Sequence, residues 1–132
     1  MKLTDLAIGD LVLINNTPHK IQAIDSIDAE ILADDELYYV GEDRCHSEDK
    51  IEGIPLTPEI LENNGFIKVN SQRHDYGYPD TDCYVKVNPK KNMIHVNGRN
   101  ANSNLYSHSF VHELQRVLRL CGLDELANNF KL

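Results

Sequence analysis

Within the run Phe110–Gly122, His112 stands beside Glu113, and a second histidine, His108, lies four positions earlier. Two imidazoles one helical turn apart can hold a divalent metal, and a neighbouring carboxylate can then act as general base. His108 and His112, with Glu113 as base and His95 as a source for a third ligand, are therefore the metal candidates, and the reaction class they suggest is a metal-dependent hydrolase. The zinc-protease pattern His-Glu-x-x-His needs a second histidine at position 116, and Arg116 stands there instead.

The same run can bind an anion. At about 100° per residue, Phe110, Val111, Leu114, Val117, Leu118 and Cys121 form one apolar stripe, with Gly122 as the stop. His112, Arg116 and Arg119 are then expected on the opposite, solvent-facing side. Guanidinium groups beside amides suit a phosphate, a carboxylate or a nucleotide. The ligand-binding candidates are Arg99, His112, Arg116 and Arg119, with Asn97, Asn100, Asn102 and Asn104 as amide neighbours. The plainer account of this face is a solvated helix surface with Glu113 bridging to Arg116.

A third cluster, His74–Asp82, offers three carboxylates with a glycine and a proline. A hard cation such as calcium could use them, but the spacing is not that of an EF-hand. A turn-rich loop with Tyr76 and Tyr78 as contact residues is the plainer reading. No Ser-His-Asp order, nucleophile elbow or glycine-rich phosphate loop occurs, so no catalytic residue is assigned and no cofactor is expected.

Charge separates the two halves of the chain. The 132 residues carry a net charge of −8. Residues 1–60 hold 14 acids against 4 bases, whereas residues 61–132 hold 7 acids against 9 bases. Between Asp25 and Glu52, eleven acids face only Arg44 and Lys50. Such a surface repels phosphate backbones, which makes direct nucleic-acid binding an unfavourable reading for this half. It suits a basic protein partner, or else simply a solvated, solubilising face.

A hydrophobic content of 41% and a charged content of 26% are those of an ordinary globular chain. No apolar run approaches the roughly 20 residues of a membrane span, and the N-terminus lacks the apolar core of a signal peptide, so a cytoplasmic location is expected. The three cysteines, Cys45, Cys83 and Cys121, are scattered, which argues against a disulfide framework or a cysteine zinc knuckle. Cys83 and Cys121 read as small core residues and Cys45 as a loop thiol.

The elements that must position these residues follow from periodicity and punctuation. Leu11–Ile14, Lys20–Ile24, Ala29–Leu32 and Leu37–Val40 alternate as short strands, with a turn at Asn15-Asn16-Thr17-Pro18. They predict a small, bent antiparallel sheet for which an SH3-like barrel is one closure. Residues 41–53 read as an acidic loop. Thr57 and Pro58 then open a short helix that Gly65 ends. Phe66–Val69 reads as a strand leading into a polar loop, 70–82. A hairpin follows, with Cys83, Val85 and Val87 on one arm, a turn at Asn88–Asn92, and Met93–Val96 on the other. An Asn-rich loop, 97–104, leads to the long helix, which Ser107 or Ser109 can cap. Residues 123–132 read as a further helical turn or a frayed end.

In order along the chain, Leu6-Ala7-Ile8-Gly9-Asp10-Leu11-Val12, Gly53-Ile54-Pro55-Leu56-Thr57-Pro58-Glu59-Ile60-Leu61, Asn64-Gly65-Phe66 and Val111-His112-Glu113-Leu114-Gln115 resemble a family of small uncharacterised proteins. That family is encoded by gut anaerobes and by their phages or mobile elements. The resemblance spans most of the chain and implies a genetic context without a reaction. Some similar sequences carry a histidine where this chain has Arg116, which argues against a shared zinc site here.

Together these readings predict an α+β protein: an N-terminal bent sheet, then a helix, a hairpin and a C-terminal amphipathic helix packed on a sheet. The division falls near residue 53, giving a β-rich lobe over 1–53 and an α+β lobe over 54–132, or one compact domain. The expected function is a non-enzymatic binding protein of a phage or mobile element. Its partner is either a host or element-encoded protein, with antagonism of host defence as the role the family context implies, or a small anionic ligand. A metal-dependent hydrolase using His108, His112 and Glu113 is the alternative.

Overall fold

A computed structural model describes residues 5–25, 30–33, 45–70, 75–79, 84–98, 101–106 and 110–132. The chain forms two compact units, Met1–Ile54 and Pro55–Leu132, and both sheets are antiparallel, so the fold is α+β.

The first unit is built on a hairpin. Strands β1 (Leu11–Ile14) and β2 (Thr17–Asp25) pair up to Ile14 opposite Thr17. This leaves Asn15 and Asn16 as a two-residue turn, both left-handed with φ of 52° and 62°. Such a turn matches the right-handed twist of the strands, and asparagine tolerates it better than most residues. Pro18, expected in the turn, lies inside β2. Next come β3 (Glu30–Ala33), β4 (Cys45–Ser47), a 3-10 turn (Glu48–Lys50) and β5 (Ile51–Glu52).

Their spatial order is β4-β3-β2-β1-β5. Strand β2 serves both halves: its first part pairs with β1 and its last part with β3, across a register shift between Ile21 and Ala23. A bulge of this kind bends a long strand. The 3-10 turn connects the two edge strands, as in the strand order of an SH3-like barrel, but no ladder closes β4 onto β5 among the described residues. The core is Leu6, Val12, Ile14, Ile21, Ile31 and Ile51. Gly9, at φ 94°, donates to the Ile21 carbonyl at 2.8 Å. The buried Asp10 carboxylate accepts from the Ala7 amide at 2.8 Å, so Ile8-Gly9-Asp10 forms the tight bend before β1.

Residues 41–53 are therefore not one acidic loop: β4, the 3-10 turn and β5 occupy 45–52, and Cys45 belongs to a strand. The expected strand Leu37–Val40 lies outside the described residues.

The second unit opens with α1 (Pro58–Asn63). The Thr57 hydroxyl accepts from the Ile60 amide at 3.2 Å, and Pro58 takes the first position. The helix closes as a Schellman motif, with Phe66 N–H donating to Leu61 O at 3.0 Å and Gly65 N–H to Glu62 O at 3.1 Å. Gly65 supplies the positive φ of 84° that the motif requires.

A five-stranded meander follows: β6 (Ile67–Asn70), β7 (Asp75–Tyr78), β8 (Tyr84–Asn88), β9 (Met93–Gly98) and β10 (Ala101–Tyr106), in the order β10-β9-β8-β7-β6. Two expected loops are thus strands. β7 lies within 70–82, with Tyr76 buried and the Tyr78 ring against Phe66 at 5.4 Å between centroids. β10 begins within 97–104 and runs on to Tyr106, its asparagines held by pairing with β9 at Asn102 opposite Asn97 and Asn104 opposite His95.

The turn between β8 and β9 is organised by Asn88. Its Oδ1 accepts from the Lys91 amide at 3.1 Å, and its Nδ2 donates to the buried Asp75 carboxylate at 2.9 Å. Tyr76, Val87 and Ile94 stand in one row across the sheet and are buried, as is Val85 in the next row. Helix α2 (Val111–Leu120) adds Val111, Leu114, Val117 and Leu118 to this unit's core. Helix α3 (Asp124–Asn128) adds Ala127, and Phe130 beyond it is buried too, so residues 123–132 are an ordered part of the unit. No helix among the described residues is long and apolar enough to cross a membrane.

Candidate functional site

The residues expected to do chemistry converge on α2, whose start is set by Phe110. Phe110 is extended and forms a bridge with Pro55, and its N–H donates to Glu113 Oε1 at 3.2 Å. Phenylalanine has no side-chain acceptor, so this is only the reciprocal half of a capping box. The cap expected from Ser107 or Ser109 is not what begins the helix, since α2 starts at Val111; those serines lie outside the described residues.

His112 is not on a solvent face. It is 4% exposed, and its ring stacks on that of Phe110 with centroids 5.7 Å apart and planes 17° from parallel. Gln115 is also fully buried and donates from Nε2 to the Ala127 carbonyl at 2.9 Å, tying α2 to α3. The helical wheel places Gln115 beside the apolar stripe and His112 nearly opposite it. The cover over this helix is wide enough to take both in.

Arg116 and Arg119 continue the flank that His112 begins, at the i, i+4, i+7 positions. Arg116 is exposed. Arg119 is half-buried, and its Nη2 donates to Asn128 Oδ1 at 3.4 Å. This arrangement is a cationic helix edge rather than a concave cage: it can meet an anionic group on another surface, with Arg116 as the outward charge. Arg99 and Asn100 lie outside the described residues, and of Asn97, Asn102 and Asn104 only the backbone pairing is described.

His108, which the metal reading pairs with His112, lies outside the described residues, and α2 is described from Val111. Among the described residues no three His, Cys, Asp or Glu side chains cluster as a metal site. Asp75, proposed as part of a cation loop, is instead 6% exposed within β7 and bound by Asn88. Asp80 and Asp82 lie outside the described residues.

Comparison with known proteins adds no relative. No family model, curated protein or solved structure matches the chain.

Sequence reasoning overlooked one feature of this unit. Tyr78 and the segment Gly122–Leu126 line an open cleft of about 640 Å³. The signal was present in Leu123-Asp124-Glu125, which follows the helix-stopping Gly122 and supplies acids to the first turn of another helix.

Proposed function

We propose that this chain is a non-enzymatic binding protein of a phage or mobile element, and that its partner is a basic protein. The observation that carries the reading is what His112 and Glu113 do. The His112 ring is buried against Phe110, and Glu113 Oε1 is engaged by the Phe110 amide. The two side chains a hydrolase would use are thus employed in building the start of α2. A general base has to reach the proton it takes, and a buried, stacked imidazole beside a capping carboxylate is poorly placed for that.

The charge distribution supports a basic partner. Residues 1–60 carry 14 acids against 4 bases, and a surplus of that size attracts cationic surfaces and repels polyanions. A small anionic ligand is the second reading, favoured by Arg116 and Arg119 lying one turn apart on a single flank of α2.

Native mass spectrometry of the protein isolated at low salt from its own host tests the proposal. A protein adduct is expected that dissociates at high salt and is lost from a D34K/D35K/E36K variant. A metal adduct lost in His112→Ala would overturn the reading in favour of the hydrolase. A small adduct lost in Arg116→Ala would replace the protein partner with an anion.

A further inference from the structure

The cleft beside α3 has a composition that selects its occupant. One wall is Tyr78, half-buried and braced by Phe66, the rings tilted by 50°. Leu123 and Leu126 give it half-buried apolar surface, and Asp124 and Glu125 are exposed at its rim. Neither carboxylate forms an ion pair among the described residues. Leu120, two residues before the cleft's Gly122, is 78% exposed, the most exposed large apolar side chain among the described residues.

We infer that this cleft docks a lysine or arginine side chain of a protein partner, with an adjoining apolar residue of that partner covering Leu120. A long cationic side chain lays its methylenes on apolar walls and keeps its charge at the polar end. Tyr78 offers an aromatic surface for the cation, and Asp124 and Glu125 supply the opposite charge. The acids also suit the first turn of α3, because carboxylates are favoured at a helix N-terminus. That role accounts for their presence but not for an open, partly apolar cleft between them and a tyrosine. An anion is disfavoured by the same two carboxylates, and a purely apolar ligand would leave them uncompensated. The inference rests on the binding-protein reading and places one contact of that partner on the second unit.

The test uses the full chain at low salt, titrated with a capped hexapeptide carrying two arginines between leucines, followed by amide chemical shifts. Saturable shifts are expected at Tyr78 and Gly122–Leu126. The same peptide with glutamine in place of arginine should bind at least about tenfold more weakly, and D124N/E125Q should weaken the arginine peptide by about five- to tenfold. Tyr78→Phe keeps the ring and should retain binding, whereas Tyr78→Leu should lose it; native-like amide spectra of each variant exclude misfolding as the cause. Absence of shifts in the cleft, equal binding of the glutamine peptide, or indifference to D124N/E125Q would overturn the inference. Shifts confined to Met1–Ile54 would overturn the cleft and leave the binding-protein reading standing. A filled cleft with no salt-sensitive host partner would do the reverse.

Discussion

The side-chain amide of Asn64 binds the backbone of Lys131 in both directions. Its Nδ2 donates to the Lys131 carbonyl and its Oδ1 accepts from the Lys131 amide, each at 2.7 Å. The second Nδ2 hydrogen goes to the Ile60 carbonyl, also at 2.7 Å. One residue at the end of α1 therefore closes its own helix and fastens the C-terminal segment, next to the buried Phe130. This explains why a tail with little helical signal is ordered.

Asn64→Ala removes all three bonds and should destabilise the second unit by about 1–3 kcal/mol. Urea unfolding would measure the loss, and hydrogen exchange should show the Lys131 amide losing protection. Deleting Lys131 and Leu132 in the same variant should add little, because both changes break the same contact. Full additivity would mean that the two segments are held independently.

In the first unit, the turn at Asn15-Asn16 already has the left-handed conformation that glycine adopts without steric cost. Asn16→Gly should stabilise the β1–β2 hairpin by about 0.5–1 kcal/mol, and Asn16→Val should destabilise it by about 1–2 kcal/mol. Thermal unfolding of the two variants should shift in opposite directions. A destabilising Asn16→Gly would show that the asparagine side chain makes a contact worth more than the backbone preference.

Ser47 donates to the Asp49 carboxylate, and this bond, more than the charge of Lys50, holds Asp49 below the usual carboxylate range; partial desolvation opposes it. Because the folded value is the lower one, the associated stabilisation is present above the ordinary aspartate range. It is lost as pH falls through that range toward the folded value. Asp49 is exposed, so the readout is its own titration by carboxyl NMR rather than global stability. Ser47→Ala should return Asp49 to ordinary behaviour; an unchanged titration would assign the shift to another cause.

Gln115 shows where helical periodicity reaches its limit. The 100° rule gave the axis of the buried stripe on α2, and Val111, Leu114, Val117 and Leu118 are buried as it requires. The width of the cover depends on neighbouring elements that a single helix cannot reveal, and here it also takes in His112 and Gln115. Local chemistry was legible where it acts locally: Thr57, Pro58 and Gly65 bound α1 correctly, and Asn88 and Asn92 mark the β8–β9 turn. β7 and β10 were not legible. Asp75 and Gly77 in β7 and the asparagines of β10 have weak strand preference, and their conformation comes from pairing with the neighbouring strands of the meander.

Substituting Gln115 by leucine keeps its bulk but leaves the buried Ala127 carbonyl without its donor. A loss of about 1–3 kcal/mol is expected. Amide exchange in Asp124–Asn128 should accelerate more than in α1, since the lost bond is one of those that tie α3 to α2. Uniform acceleration across the unit would indicate a general packing defect instead.

His112 separates the two function classes most directly. Stacked on Phe110 and 4% exposed, it should tolerate an aromatic replacement better than truncation. His112→Ala leaves a cavity beside Phe110 and should cost about 2–3 kcal/mol, whereas His112→Phe should cost less than half of that because a ring still fills the space. If the residue serves packing, partner binding should follow stability: retained in His112→Phe, and retained in His112→Ala at temperatures where the variant stays folded. If it serves as a metal ligand or a general base, both substitutions abolish function equally, whatever their stabilities. Unfolding curves together with salt-dependent partner binding for the two variants distinguish these outcomes. Equal, complete loss in a folded His112→Phe would favour the hydrolase over the binding protein.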